Sequence, residues 1–175
     1  MQEWPASHKD FAATAAPLAG PAAVMLFSPG SLFGDQPLHS MKTKFQLQFE
    51  DIRKMAVAAE AEAARNAWAV AIAIVDDGGH LLHFQRLDGA APASCAIAPA
   101  KARTSALGRR ESKVYEDMIN SGRQSFLSAP LLEGMLEGGV PIMKDGECLG
   151  AIGVSGVKSY EDAQVAKAGI AAIGL

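Results

Sequence analysis

The stretch from Gly138 to Gly156, GGVPIMKDGECLGAIGVSG, constrains the fold of this chain more than any other. Two apolar runs, Val140 to Met143 and Cys148 to Ser155, flank the polar turn Lys144-Asp145-Gly146-Glu147, where Asp-Gly supplies the positive φ of a tight hairpin. A lone hairpin is marginal in water, so this one must pair with other strands and be covered. A second hairpin lies upstream. From Trp68 to Val75, Val70, Ile72 and Ile74 alternate with Ala69, Ala71 and Ala73, which suits a strand with a helix lying close on its alanine side. Asp76-Asp77-Gly78-Gly79 reads as a turn, and His80 to Leu87 as the returning strand.

Helical periodicity surrounds these hairpins. Phe45 to Ala67 carries Ile52, Met55, Val57, Ala59 and Ala63 at near-helical spacing among charged residues, and Asn66 ends it. A second helix starts at Ser94 or Pro99, with Ile97, Ala100, Thr104 and Leu107 on one apolar face, and Gly108 breaks it. Ser112 is placed to cap a short helix over Lys113 to Asn120, and Leu131 to Glu137 is either a helical turn or a loop with apolar anchors. Ser159 is placed to cap a C-terminal helix, with Asp162 where a capping box normally has Glu. The order predicts an α/β (α+β) sandwich with a largely antiparallel sheet built from two hairpins and covered by helices.

At 175 residues and 49% hydrophobic, the chain suits one core. A net charge of −3 with no basic face argues against a nucleic-acid surface, and no run reaches the roughly 18 apolar residues of a membrane span. The two cysteines, Cys95 and Cys148, form no CxxC pair, so neither a disulfide framework nor a zinc site is indicated. Free thiols and the lack of a convincing secretion signal predict a cytoplasmic location. Residues 1–40 are proline-rich and aperiodic; they read as an extension or arm, with Met41 as an internal start and 41–175 as the domain.

The residues able to carry chemistry are few. Gly150, Gly153 and Gly156 lie inside or just beyond a strand, where glycine marks either close helix packing or the floor of a ligand site. Their G-x-x-G-x-x-G spacing is not a phosphate loop. His80 and His83 are three apart on a strand and so point to opposite faces, which prevents both from gripping one ion. Lys101 lies about 40° from Ile97 on the helical wheel, at the edge of the apolar stripe. It either snorkels or binds an anion. Thr104 either bonds a carbonyl one turn back or faces a ligand.

Four stretches, AIAIVDDGGHLLHFQRLDGA (71–90), KARTSAL (101–107), GGVPIMKDGECLGAIGVSG (138–156) and YEDAQVAKAGIAA (160–172), resemble the haem-binding GlcG/HbpS-like family. That family includes the C-terminal domain of PduO-type proteins, and the likeness covers residues 45–175. The resemblance implies a profilin-like fold, a homo-oligomer, and binding of haem or a related tetrapyrrole in a crevice between the Lys101-Thr104 helix and the Gly-rich strand. Carried over by position, Thr104 would neighbour the haem iron; Arg86, Lys101 and Arg103 would then be candidates to meet ligand carboxylates, and Gly139, Gly150, Gly153 and Ser155 of the Gly-rich hairpin join them as ligand-binding candidates. The alternative is a cofactor-free enzyme, an isomerase or hydrolase on a small organic acid or enol, with His80, His83, Asp88 or Glu137 moving a proton.

Overall fold

The structure, a computed structural model, describes residues 41–175, and the reading of residues 1–40 as an extension or arm lies outside the described residues. In chain order the elements are α1 (Phe49–Arg65), β1 (Ala71–Asp76), β2 (Leu81–Arg86), α2 (Ser94–Gly108), α3 (Lys113–Asn120), a 3-10 turn (Gln124–Ser128), β3 (Gly139–Lys144), β4 (Glu147–Ser155) and α4 (Ser159–Ala171). The strands form one antiparallel sheet in the order β2-β1-β4-β3. Each hairpin therefore contributes one central and one edge strand. The second hairpin closes through Asp145 at φ 50° and Gly146 at φ 80°, the left-handed pair that its sequence requires.

Side-chain size decides what covers each face. Ile72 and Ile74 of β1, Val140 and Ile142 of β3, and Ile152 and Val154 of β4 pack against Met55 and Ala59 of α1 and Val165 and Ala166 of α4. On the other face, Ala71, Ala73, Val75 and Ala151 meet Ala98, Ala102 and Ala106 of α2. The alternation in β1 thus sorts a bulky face from an alanine face, as its sequence predicts.

The buried side of α2 departs from the expected one. Ala98, Lys101, Ala102, Thr104, Ser105 and Ala106 are buried, whereas Ile97, Ala100 and Leu107 are half-buried. Small residues go inward because the sheet face opposite is itself small, so the bulkier apolar side chains are turned away. Pro99 sits inside α2 and removes one backbone donor there.

The helix starts also differ from expectation. Ser159 is the first residue of α4 rather than its cap; Glu161 accepts from the Lys158 N–H at 3.1 Å and Asp162 from the Val157 N–H at 3.2 Å. The Ser112 hydroxyl makes no cap to α3. Instead its oxygen accepts from the Gly139 N–H at 2.8 Å, and the hydroxyl donates to the Leu136 carbonyl, which ties α3 to the entry of β3.

Candidate functional site

Three glycines bring α2 into backbone contact with its surroundings. A Cβ on Gly153 would sit 2.2 Å from the Ala98 carbonyl oxygen, one on Gly139 would sit 2.3 Å from the Lys101 oxygen, and one on Gly134 would sit 2.2 Å from the Ala100 carbonyl carbon. The seam between α2 and the Gly-rich strand is therefore closed, and glycine serves close packing there. A Cβ on Gly150 would meet the Val75 carbonyl oxygen of the neighbouring strand at 2.1 Å, and Ser155 is buried opposite Ala71.

Lys101 is neither snorkelling nor free to bind an anion. Its Nζ donates to Asp162 Oδ2 at 2.8 Å and to the Val154 carbonyl at 3.0 Å, with both charged side chains under 5% exposed. Burial pushes the Asp162 carboxyl upward against the pull of that ammonium. Thr104 is also engaged, since its Oγ1 accepts from the Gly134 N–H at 3.0 Å in a fully buried setting. Lys101, Thr104, Gly139, Gly153 and Ser155 thus lie on the α2 side of the sheet, where Gly139 and Gly153 let the helix approach, whereas Gly150 faces the opposite side and meets β1 and Leu47.

An open groove of about 430 Å³ lies on the other side of α2, between that helix and the first hairpin. Val75, Leu81, Ala96, Pro99 and Ala100 give it apolar walls, while His80, Arg103 and Glu133 bring polar groups. Its volume falls within the roughly 300–1,000 Å³ usual for small-ligand sites. Gly79, at φ 79°, lets the Arg103 stem come close; a Cβ there would sit 2.8 Å from Arg103 Cγ. Two further grooves, about 270 Å³ beside Lys44, Asp77 and Leu82 and about 400 Å³ over Val57 and Ala61 of α1, lack this pairing of an apolar wall with an imidazole and a guanidinium.

His80 is held at the rim by Asp76. Its Nδ1 lies 3.1 Å from both carboxylate oxygens, and Asp76 Oδ1 also accepts the N–H groups of Gly78 at 2.9 Å and His80 at 2.8 Å. Burial opposes ionisation of Asp76, but the hydrogen bonds from the His80 N–H and ring and from Gly78 outweigh it and hold the carboxyl below its ordinary range. Nε2 of His80 has no hydrogen-bond partner among the described residues.

The other expected residues lie elsewhere. His83 Nε2 is 3.2 Å from Gln85 Oε1, and Gln85 reaches Glu60 of α1, so the two histidines do serve opposite faces. Arg86 donates to the Ala90 carbonyl at 2.9 Å and approaches Cys95 Sγ at 3.9 Å, pinning the loop before α2. Asp88 is exposed in the turn after β2, and the backbone N–H of Glu137 donates to Glu116 at 2.6 Å. Of all the candidates, His80 and Arg103 share the groove. Asp76 reads in the sequence as a turn residue; an acid four places before a histidine across Gly-Gly is the signal that would select it. Glu133 sits in an irregular segment and has no such signal.

Among the described residues, no cluster of three metal-binding side chains forms, and no helix is long and apolar enough to cross a membrane. Both thiols are free, and burial pushes that of Cys148 upward.

A four-stranded antiparallel sheet between helices, with an open groove where α2 meets the first hairpin, defines a small α+β sandwich. Residues 47–171 match the family described as haem degrading protein HbpS-like, and the chain belongs to that family. It is 52% identical to protein GlcG of Escherichia coli K12 over 115 residues, covering 66% of this chain and 85% of that relative. Corrinoid adenosyltransferase PduO of Salmonella typhimurium is 30% identical over 142 residues, 79% of this chain but 42% of that protein. Among solved structures, a double mutant of Streptomyces reticuli HbpS is similar at a TM-score of 0.70 and 28% identity, over 93% of this chain and 99% of that one. A PduOC:heme complex is similar at a TM-score of 0.65 and 27% identity, over 73% of this chain and 95% of that one.

Proposed function

We propose that residues 41–175 form a domain that binds haem, or another flat ligand bearing carboxylates, in the groove between α2 and the first hairpin. The observation that carries this reading is that a PduOC:heme complex shares the fold at a TM-score of 0.65 and 27% identity. The groove's chemistry fits: Leu81, Ala96, Pro99 and Ala100 offer an apolar surface to a macrocycle, and Arg103 offers a guanidinium to a propionate. Titration with ferric haem should give a saturable Soret shift. Arg103→Glu should weaken uptake by about tenfold or more, the worth of one charge-assisted hydrogen bond. A dimethyl ester of the porphyrin should remove that dependence on Arg103. No saturable uptake by the wild-type chain would end the proposal.

A second reading is favoured by the His80–Asp76 pair beside Arg103: a cofactor-free enzyme, of isomerase or hydrolase type, in which Arg103 holds a small organic acid and His80 moves a proton. Deuterium from solvent would then enter an enolisable acid with the wild type and not with His80→Ala. Self-association and a cytoplasmic location belong to the same proposal. They are supported by the exposed Leu81, Leu82 and Phe84 on the edge strand β2 and by the two free thiols.

A further inference from the structure

Resting on the haem-binding reading, we infer that His80 ligates the haem iron through Nε2 and that Asp76 is the positioning residue that fixes its ring. With Nδ1 directed at both Asp76 oxygens at 3.1 Å, the ring proton belongs on Nδ1 and the Nε2 lone pair is left for a metal. This is the arrangement that metal-bound imidazoles commonly adopt, one nitrogen on the ion and the other donating to a carboxylate.

The turn sets the direction of the ring. A Cβ on Gly78 would sit 2.8 Å from His80 Cε1 and 2.9 Å from Nδ1, so the edge carrying those atoms lies over the glycine turn and Nε2 is on the open side. The side chain is 81% exposed while lining the groove, so a ligand reaches it without any rearrangement of the core. The other candidates are poorly placed. Thr104 is buried with its oxygen occupied by the Gly134 N–H, and His83 faces α1. Cys95 lies eight residues before Arg103 on α2, about 12 Å along the axis, outside the groove. Glu133, which does line the groove, is the one rival ligand.

The experiment uses the full chain loaded with ferric haem and read by absorption, electron paramagnetic resonance and resonance Raman spectra. The wild type should show a nitrogen-ligated iron. His80→Ala should lose that signature, and added imidazole should restore it. Glu133→Gln should leave it unchanged. Asp76→Asn should keep the signature, weaken haem affinity by about 10–100-fold, and raise the reduction potential, because a neutral amide no longer supports negative charge on the ring. A His80→Ala chain that takes up haem with an unaltered spectrum would overturn the inference and leave the haem-binding reading standing. A wild-type chain that takes up no haem would overturn both.

Discussion

Lys101 and Asp162 are withdrawn from water as a pair, and each depends on the other to stay there. Lys101→Met alone leaves a buried carboxylate uncompensated and should cost about 3–5 kcal/mol. Lys101→Met with Asp162→Asn keeps an acceptor for the Val157 N–H and should recover most of that loss, as urea denaturation would measure. Asp76 behaves differently. Its folded carboxyl titrates below the ordinary range, so its ionised form adds stability that is complete above the unfolded value, about 4, and is lost as the pH falls through the lower folded value. Thermal unfolding between about pH 6 and about pH 3 should therefore fall off more steeply in the wild type than in Asp76→Asn. The thiols differ as well. Cys148 is buried and held protonated, whereas Cys95 is half-buried, so a thiol reagent should label Cys95 first and reach Cys148 only after unfolding. A fast reaction that survives in Cys95→Ser would contradict this.

At the scale of elements, α2 is the part whose position everything else fixes. Gly153→Ala places a methyl against the Ala98 backbone oxygen, which cannot move without the helix, and should cost about 1–3 kcal/mol or more. Gly146→Asn, at φ 80° with nothing within 4 Å, should be nearly neutral in the same denaturation assay. The alanines of β1 announce a closely packed helix in the sequence, and the Asp145-Gly146 turn announces its hairpin, because both signals are local. The inward face of α2 is not local. Ile97 and Leu107 draw the eye as an apolar stripe, but the face that docks is chosen by glycines that lie 34 to 55 residues away along the chain. The same distance hides the partner of Lys101, since nothing near residue 101 points to Asp162. Ser159 as a cap fails for a nearer reason: the helix starts one residue earlier, so Lys158 takes the cap position and Glu161 accepts from its N–H.

For the molecule as a whole, the pairing of β1 with β4 joins the hairpins through their central strands and leaves β2 and β3 as edges. Two hairpins and their covering helices are legible in the sequence, but which strands meet is not, and the groove's location depends on that order. With β2 at an edge, the exposed Leu81, Leu82 and Phe84 stand beside an unpaired row of backbone groups. Light scattering on the purified chain should give a mass above one copy, and Phe84→Lys should lower it.

The two sides of α2 live under different rules. Its inner surface is wedged so tightly between glycine backbones that a single added methyl is felt, while the exposed Ala96 and Arg103 border the open groove. A substitution on the outward side of this helix therefore reshapes the groove while the docked face keeps the helix where it is.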